Sequence, residues 1–159
     1  MGDKFMTLLV FMIDGHNYAI ESSYVRKVVR MVEITPLPGG PDAILGVIDV
    51  QGDIAPVIDL RRCLGMNNRE LNICDQLIIV HAEGRCFALP VDETEGVIDC
   101  SEETVTPASG IVSDAIYVCG VAKRAEGMVL IYSIEKLLSV ATEALTTLEP
   151  EQLTGGQNA

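Results

Sequence analysis

The 159-residue chain has no tryptophan, three phenylalanines and four tyrosines, so aliphatic side chains must fill whatever core it builds. Basic residues are also scarce. Eleven Lys and Arg stand against 23 Asp and Glu, a formal charge of −12, which argues against a phosphate backbone as partner. Long apolar runs are missing: the longest, Leu8 to Ile13, falls far short of the roughly 20 residues of a membrane span. Asp14 follows that run at once and no small-residue cleavage site appears, so no signal peptide is expected. The five cysteines are odd in number and contain no CxxC, which suggests neither a zinc site nor a disulfide framework. Cys74, Cys86 and Cys119 have apolar neighbours and are expected to be small buried hydrophobes. A reducing cytoplasm, no nucleic acid and no membrane insertion are the resulting expectations.

What is present is ample for a core: 48% apolar residues and a mean hydropathy of +0.32, in a length suited to one domain. The charge is lopsided. Residues 1–79 carry a net −3 and residues 80–159 a net −9. Solubility accounts for this, and a second half that faces a basic partner or avoids an acidic one would account for it as well.

Short β-like segments dominate. Leu8–Ile13 ends at Asp14-Gly15, a strong hairpin signal, and Tyr18-Ala19-Ile20 resumes beyond it. Val25, Val28, Val29 and Val32 give β-branched character, with Arg26, Lys27 and Arg30 interleaved. Thr35 to Pro41 is too rich in Pro and Gly for a helix or central strand. Pro41 could open a single turn through Leu45, closed by Gly46. Strands are expected at Val47–Val50 and Ile54–Ile58, turned at Gln51-Gly52-Asp53. Asp59 is placed to cap a short helix, Leu60–Leu64, stopped by Gly65. Toward the end, Ser133 could cap a helix whose Ile134, Leu137, Leu138, Ala141, Leu145 and Leu148 share one face. Pro150 ends it, and 151–159 reads as a loose tail.

The second half repeats the first. Phe87-Ala88-Leu89 follows Tyr18-Ala19-Ile20 by 69 positions, and Val97-Ile98 follows Val28-Val29 by the same interval. Gly120-Val121 follows Gly46-Val47 by 74, as Leu130–Ile134 follows Pro56–Leu60. The shared order of strands, glycine turns and short helix predicts an internal duplication of about 70 residues. Five short strands per copy cannot bury both faces alone, so two small barrels sharing one core are expected.

No catalytic constellation emerges. His16 and His81 lie at or beside hairpin turns, and no HExxH, Gly-x-Ser-x-Gly, GxGxxG or Walker-type loop occurs. Asp49, Asp53 and Asp59 are close in sequence, but the first two flank a turn and the third is better used as a helix cap. Glu102-Glu103 falls in what reads as a surface loop running to Pro107. No metal or cofactor is expected.

The stretch from Ile34 to Gly65 closely resembles the signature region of the CheW family of chemotaxis coupling proteins. The matching residues are the proline bend (Pro36, Pro38, Pro41), the Gly-Val strand Leu45 to Ile48, the turn glycine Gly52, and Pro56 to Arg61 with Gly65. Phe11, Tyr18-Ala19-Ile20 and Val25 fit the family's opening strands; Phe87 to Asp92 and Gly96-Val97 fit its second half, so the resemblance covers residues 8 to about 140. It implies a mainly β fold of two intertwined five-stranded SH3-like barrels sharing a core, with short helices and a C-terminal helix. The domain is expected over 1–150, with repeats at about 14–70 and 83–140 that share outer strands.

The resemblance further implies a non-catalytic adaptor between the cytoplasmic tips of methyl-accepting chemoreceptors and the regulatory domain of a CheA-type histidine kinase. A twitching-motility or other non-flagellar chemosensory output is an alternative within the family. A small enzyme or ligand-binding barrel using Asp49 and Asp53 is the rival outside it. Partner-binding residues carried over are Val25, Lys27, Gly46, Val47, Gln51 and Gly52. On this reading Gly46→Asp leaves the fold largely intact and abolishes binding; the other reading of Gly46 is a helix terminator. Two positions depart from the family pattern. Gln51 replaces the usual arginine before the turn glycine, and Lys27 stands where many members carry an acid; the resemblance implies that these two positions pair at or beside the partner surface, and their change reads either as drift at an exposed pair or as altered partner choice.

Overall fold

The structure is a computed structural model that describes residues 4–107 and 117–139. Among the described residues, eleven strands fall into two sheets, one ordered β8-β1-β2-β11-β10-β9 and the other β3-β6-β7-β5-β4. In chain order they are β1 (Phe5–Ile13), β2 (His16–Glu21), β3 (Val25–Arg30), β4 (Ile44–Val50), β5 (Asp53–Ile58), β6 (Gln76–Ala82), β7 (Arg85–Val91), β8 (Glu93–Ser101), β9 (Val105–Pro107), β10 (Val118–Arg124) and β11 (Gly127–Tyr132). Helix α1 is Leu60–Cys63, and a second helix, α2, occupies 134–139. Single 3-10 turns, Ser22–Tyr24 and Glu102–Thr104, lead into β3 and β9.

Each sheet mixes the two halves of the chain. The β1-β2 hairpin lies between β8 and β11, while the β6-β7 hairpin lies between β3 and β5. The two sheets have the same order once β6, β7, β8, β10 and β11 are set against β1, β2, β3, β4 and β5. The correspondence holds residue by residue. Val57 pairs in parallel with Ala88, and Ile131 with Ala19. A bulge between Val25 and Lys27 opposite Val80 and Ile79 recurs between Thr94 and Gly96 opposite Phe11 and Val10.

Packing explains why Leu8–Phe11 of β1 and Leu77–Val80 of β6 read as continuous apolar runs: consecutive residues there are buried on both faces. Leu9, Phe11, Ile13 and Ile20 meet Ile78, Val80, Phe87 and Leu89 in one core between the sheets, closed by Tyr132, Ile134, Leu137 and Leu138. Leu8, Val10, Ala19, Ala122, Val129 and Ile131 form a separate cluster on one sheet. Their counterparts, Leu77, Ile79, Ala88, Ile48, Ala55 and Val57, form the same cluster on the other. This is the expected mainly β architecture of two five-stranded units around a shared core, with β9 as an added short strand.

Local signals act as the chemistry requires. Asp14-Gly15 and Glu83-Gly84 turn the two hairpins with positive φ at both residues, the geometry that suits the twist of the strands. The Asp59 carboxylate accepts the Arg62 N–H, and Gly65 stops the helix at φ +70°. The Ser133 hydroxyl oxygen accepts the Lys136 N–H at 3.3 Å, capping α2 as expected. Ala141, Leu145, Leu148, Pro150 and the tail lie outside the described residues.

Three expectations change. Strand β4 begins at Ile44 rather than Val47, because the turn is completed by the Ile44 N–H donating to the Pro41 carbonyl at 3.1 Å. The acidic segment up to Pro107 is no plain loop, since Val105–Pro107 pairs with β10. Cys74 and Cys119 are exposed and Cys86 is half-buried. In a strand, neighbours in sequence face opposite ways, so the apolar residues flanking Cys119 say nothing of its own side.

Candidate partner interface

One edge of the five-stranded sheet is β3, and its bulge sets two consecutive side chains, Arg26 and Lys27, beside the mouth of a concavity of about 780 Å³. A bulge of this kind re-aims side chains out of strict alternation. Gln51 lines the same concavity, held at the tip of the β4–β5 hairpin with φ +52°. Gly52 completes that turn at φ +94°, and its N–H donates to the Asp49 carboxylate at 2.8 Å. The fold therefore brings together Lys27 and Gln51, the two positions where the chain departs from the family pattern.

Arg85 and His81, from β7 and β6, line the same space, and among the described residues Asp53 is the one carboxylate there. The charges converge on the half-buried thiol of Cys86. Burial pushes that thiol up, Arg26 and Lys27 draw it down, and Asp53 pushes it up, leaving it above the ordinary thiol range.

The remaining expected residues sit behind this face. Val25 is half-buried, pairs with Val80 and packs against the shared core. Val47 is half-buried in β4 and exchanges two 2.9 Å backbone hydrogen bonds with Thr35. Gly46 is buried inside β4, so it is no helix terminator. At φ +156°, a Cβ there would lie 2.3 Å from the Thr35 carbonyl oxygen. The glycine is required by the close crossing of the proline bend over β4. Gly46→Asp therefore disturbs folding first, contrary to the expectation above. Gly120 repeats the device, its Cβ position lying 2.8 Å from a Val105 methyl.

Sequence reading missed a charged network at the junction of the sheets. The Arg61 guanidinium, almost fully buried, donates to both Asp14 carboxylate oxygens at 2.9 and 2.8 Å and to Asp92 at 2.8 Å. Arg69 links Asp92 to the buried Asp75. Burial pushes the Asp92 carboxyl up, but the Asp14 N–H and the two arginines outweigh it and hold it below the ordinary range. The opposite junction carries a different tie: the Tyr24 hydroxyl donates to Glu135 at 2.6 Å. That bond, with burial and the Glu135 charge, pushes the phenol up to about 12.

The acidic and histidine candidates have other places. Asp49 serves its turn, Asp59 caps α1, and Asp53 is exposed. His16 and His81 are exposed. Among the described residues, no three His, Cys, Asp or Glu side chains gather in a group that could hold a metal ion, and no helix is long and apolar enough to cross a membrane.

Comparison with known proteins identifies the family and the fold. Residues 7–142 match the CheW-like domain. The chemotaxis protein CheW of Bacillus subtilis is 32% identical over 108 residues, covering 67% of this chain and 69% of that protein. CheW of Klebsiella aerogenes is 27% identical over 139 residues, covering 86% and 84%. Among solved structures, the scaffolding protein TtCheW of Thermoanaerobacter tengcongensis superposes with a TM-score of 0.77 at 31% identity, over 84% of this chain and 92% of that one. The chain belongs to the CheW-like family and is a chemotaxis adaptor, not an enzyme.

Proposed function

We propose that the protein couples the cytoplasmic tips of methyl-accepting chemoreceptors to the regulatory domain of a CheA-type histidine kinase, at membrane-bound arrays. The observation that supports this best is the family match over 7–142, carried on the same two-sheet architecture. Signal passes through such an adaptor as geometry, so recognition by edge strands and aliphatic contacts suffices. We place one partner contact at Lys27, Gln51 and Gly52, with Val25, Gly46 and Val47 setting the shape of the strands beneath it. The test is co-sedimentation of the purified protein with its cognate kinase regulatory domain and a receptor cytoplasmic fragment. A ternary complex is expected. If a folded bait retains neither partner, the coupling role is wrong and the fold alone stands.

A further inference from the structure

We propose that the concavity beside β3 receives an acidic segment of a protein partner, a stretch of carboxylates around an aliphatic side chain. Arg26, Lys27 and Arg85 surround it with His81 beside them, and among the described residues none of the three cations makes an ion pair within the chain. That is unexpected in a molecule with more than twice as many acids as bases. Carboxylates are plentiful, yet among the described residues this space holds only Asp53. Ile54, 64% exposed at the same mouth, supplies the apolar contact. Unpaired cations around an exposed aliphatic side chain match an occupant of opposite charge with an apolar centre.

The strand equivalent to β3 provides an internal comparison. Strand β8 carries Glu95 where β3 carries Arg26, and Asp99 where β3 carries Arg30. The two edges share their bulge and differ in charge. The positive edge is therefore a property of this side chain set, not of the backbone plan.

The inference rests on the coupling role only in taking the occupant to be a protein. The probe is the fluorescein-labelled peptide Asp-Glu-Leu-Glu-Asp-Leu-Glu, titrated against the full chain at about 20 mM and about 150 mM salt, with amide NMR shifts recorded. Expected are binding that weakens with salt, and shifts confined to β3, residues 50–54 and residues 84–87. The double variant Lys27→Glu/Arg85→Glu loses about tenfold or more in affinity, while Lys123→Glu, reversing an unpaired lysine on β10, leaves it unchanged. Circular dichroism checks that the variants are folded.

Four results overturn the inference: no binding at low salt, equal binding by the double variant, an equal loss in Lys123→Glu, or shifts spread over the surface. A fifth does so as well. If sedimentation shows oligomers that Lys27→Glu dissolves, the occupant is a second copy's acidic edge. Kinase capture is measured separately with the same variants. Capture without peptide binding leaves the coupling role intact and removes this face, whereas peptide binding without capture by the wild type does the reverse.

Discussion

Replacing Arg61 by methionine isolates what the charged junction contributes, because methionine keeps much of the apolar stem and removes the guanidinium. Three charge-assisted hydrogen bonds are lost, two to Asp14 and one to Asp92. Breaking a fully buried pair by removing one partner costs about 3–5 kcal/mol. Here the carboxylates are 48% and 28% exposed, so water rehydrates them, and Arg69 still holds Asp92. Solvent screening cuts the cost to about 2 kcal/mol, or about 4–8 °C in Tm for a domain of this size. Urea unfolding followed by circular dichroism measures it. The Asp92 carboxyl is depressed in the folded state, so its contribution is present above the unfolded value of about 4 and is lost as pH falls through the lower folded one. The gap between wild type and Arg61→Met is therefore full at pH 7 and narrows below about pH 4. A cycle with Asp92→Asn is expected to show a coupling of about 1 kcal/mol or more. A cost under about 0.5 kcal/mol at pH 7, or a gap that widens in acid, would refute the reasoning.

Other substitutions test other parts of the fold. Gly46→Ala forces a Cβ against the Thr35 carbonyl and is expected to cost about 3 kcal/mol, whereas Gly52→Ala, with open space around it, costs about 1 kcal/mol; urea midpoints compare them. Ala88→Leu overfills the small cluster at the parallel crossing with Val57 and is expected to lower stability by about 1–3 kcal/mol, with equal unfolding curves counting against the packing account. Tyr24→Phe removes the hydrogen bond to Glu135 and costs about 1 kcal/mol at pH 8. Because the Tyr24 phenol is raised in the folded state to about 12, that contribution is present below pH 10 and fades toward pH 12; a gap unchanged at pH 11 would contradict it.

Much of the fold was legible because its signals are local. Asp14-Gly15, Glu83-Gly84, the Asp59 cap and Gly65 each act within a few residues of themselves. The duplication was legible because packing repeats: Leu8, Val10 and Ala19 recur as Leu77, Ile79 and Ala88 in the matching cluster. What stayed hidden depends on distant partners. Arg61 reads as an ordinary helix cation until Asp14 and Asp92, 47 and 31 positions away, are placed beside it. Gly46 reads equally as a helix stop or as a partner-facing glycine, because Thr35, which crosses it, belongs to a proline-rich segment with no strand pattern. The exchange of hairpins between sheets leaves no mark on hydrophobic periodicity, since each hairpin is buried on both faces wherever it sits. The meeting of Lys27 and Gln51 was suggested by family resemblance, and spacing alone could not have shown it.

Duplication poses a problem for an adaptor, and the charges of β3 and β8 bear on it. Two copies of one unit present two equivalent open edges, and equivalent edges recognise the same partner. The coupling role proposed above requires two different ones. Interior positions cannot make that distinction, because the matched clusters tolerate only changes that conserve volume. Exposed edge positions can. Here one edge carries Arg26, Lys27 and Arg30 and the other Glu93, Glu95 and Asp99; under the coupling role proposed above, each would reject a partner the other accepts, through like-charge juxtaposition more than through any new contact. The residues that distinguish the two edges are those the fold leaves free to vary. Reversing β3 to the charges of β8 should therefore preserve stability while making the two edges compete for one partner.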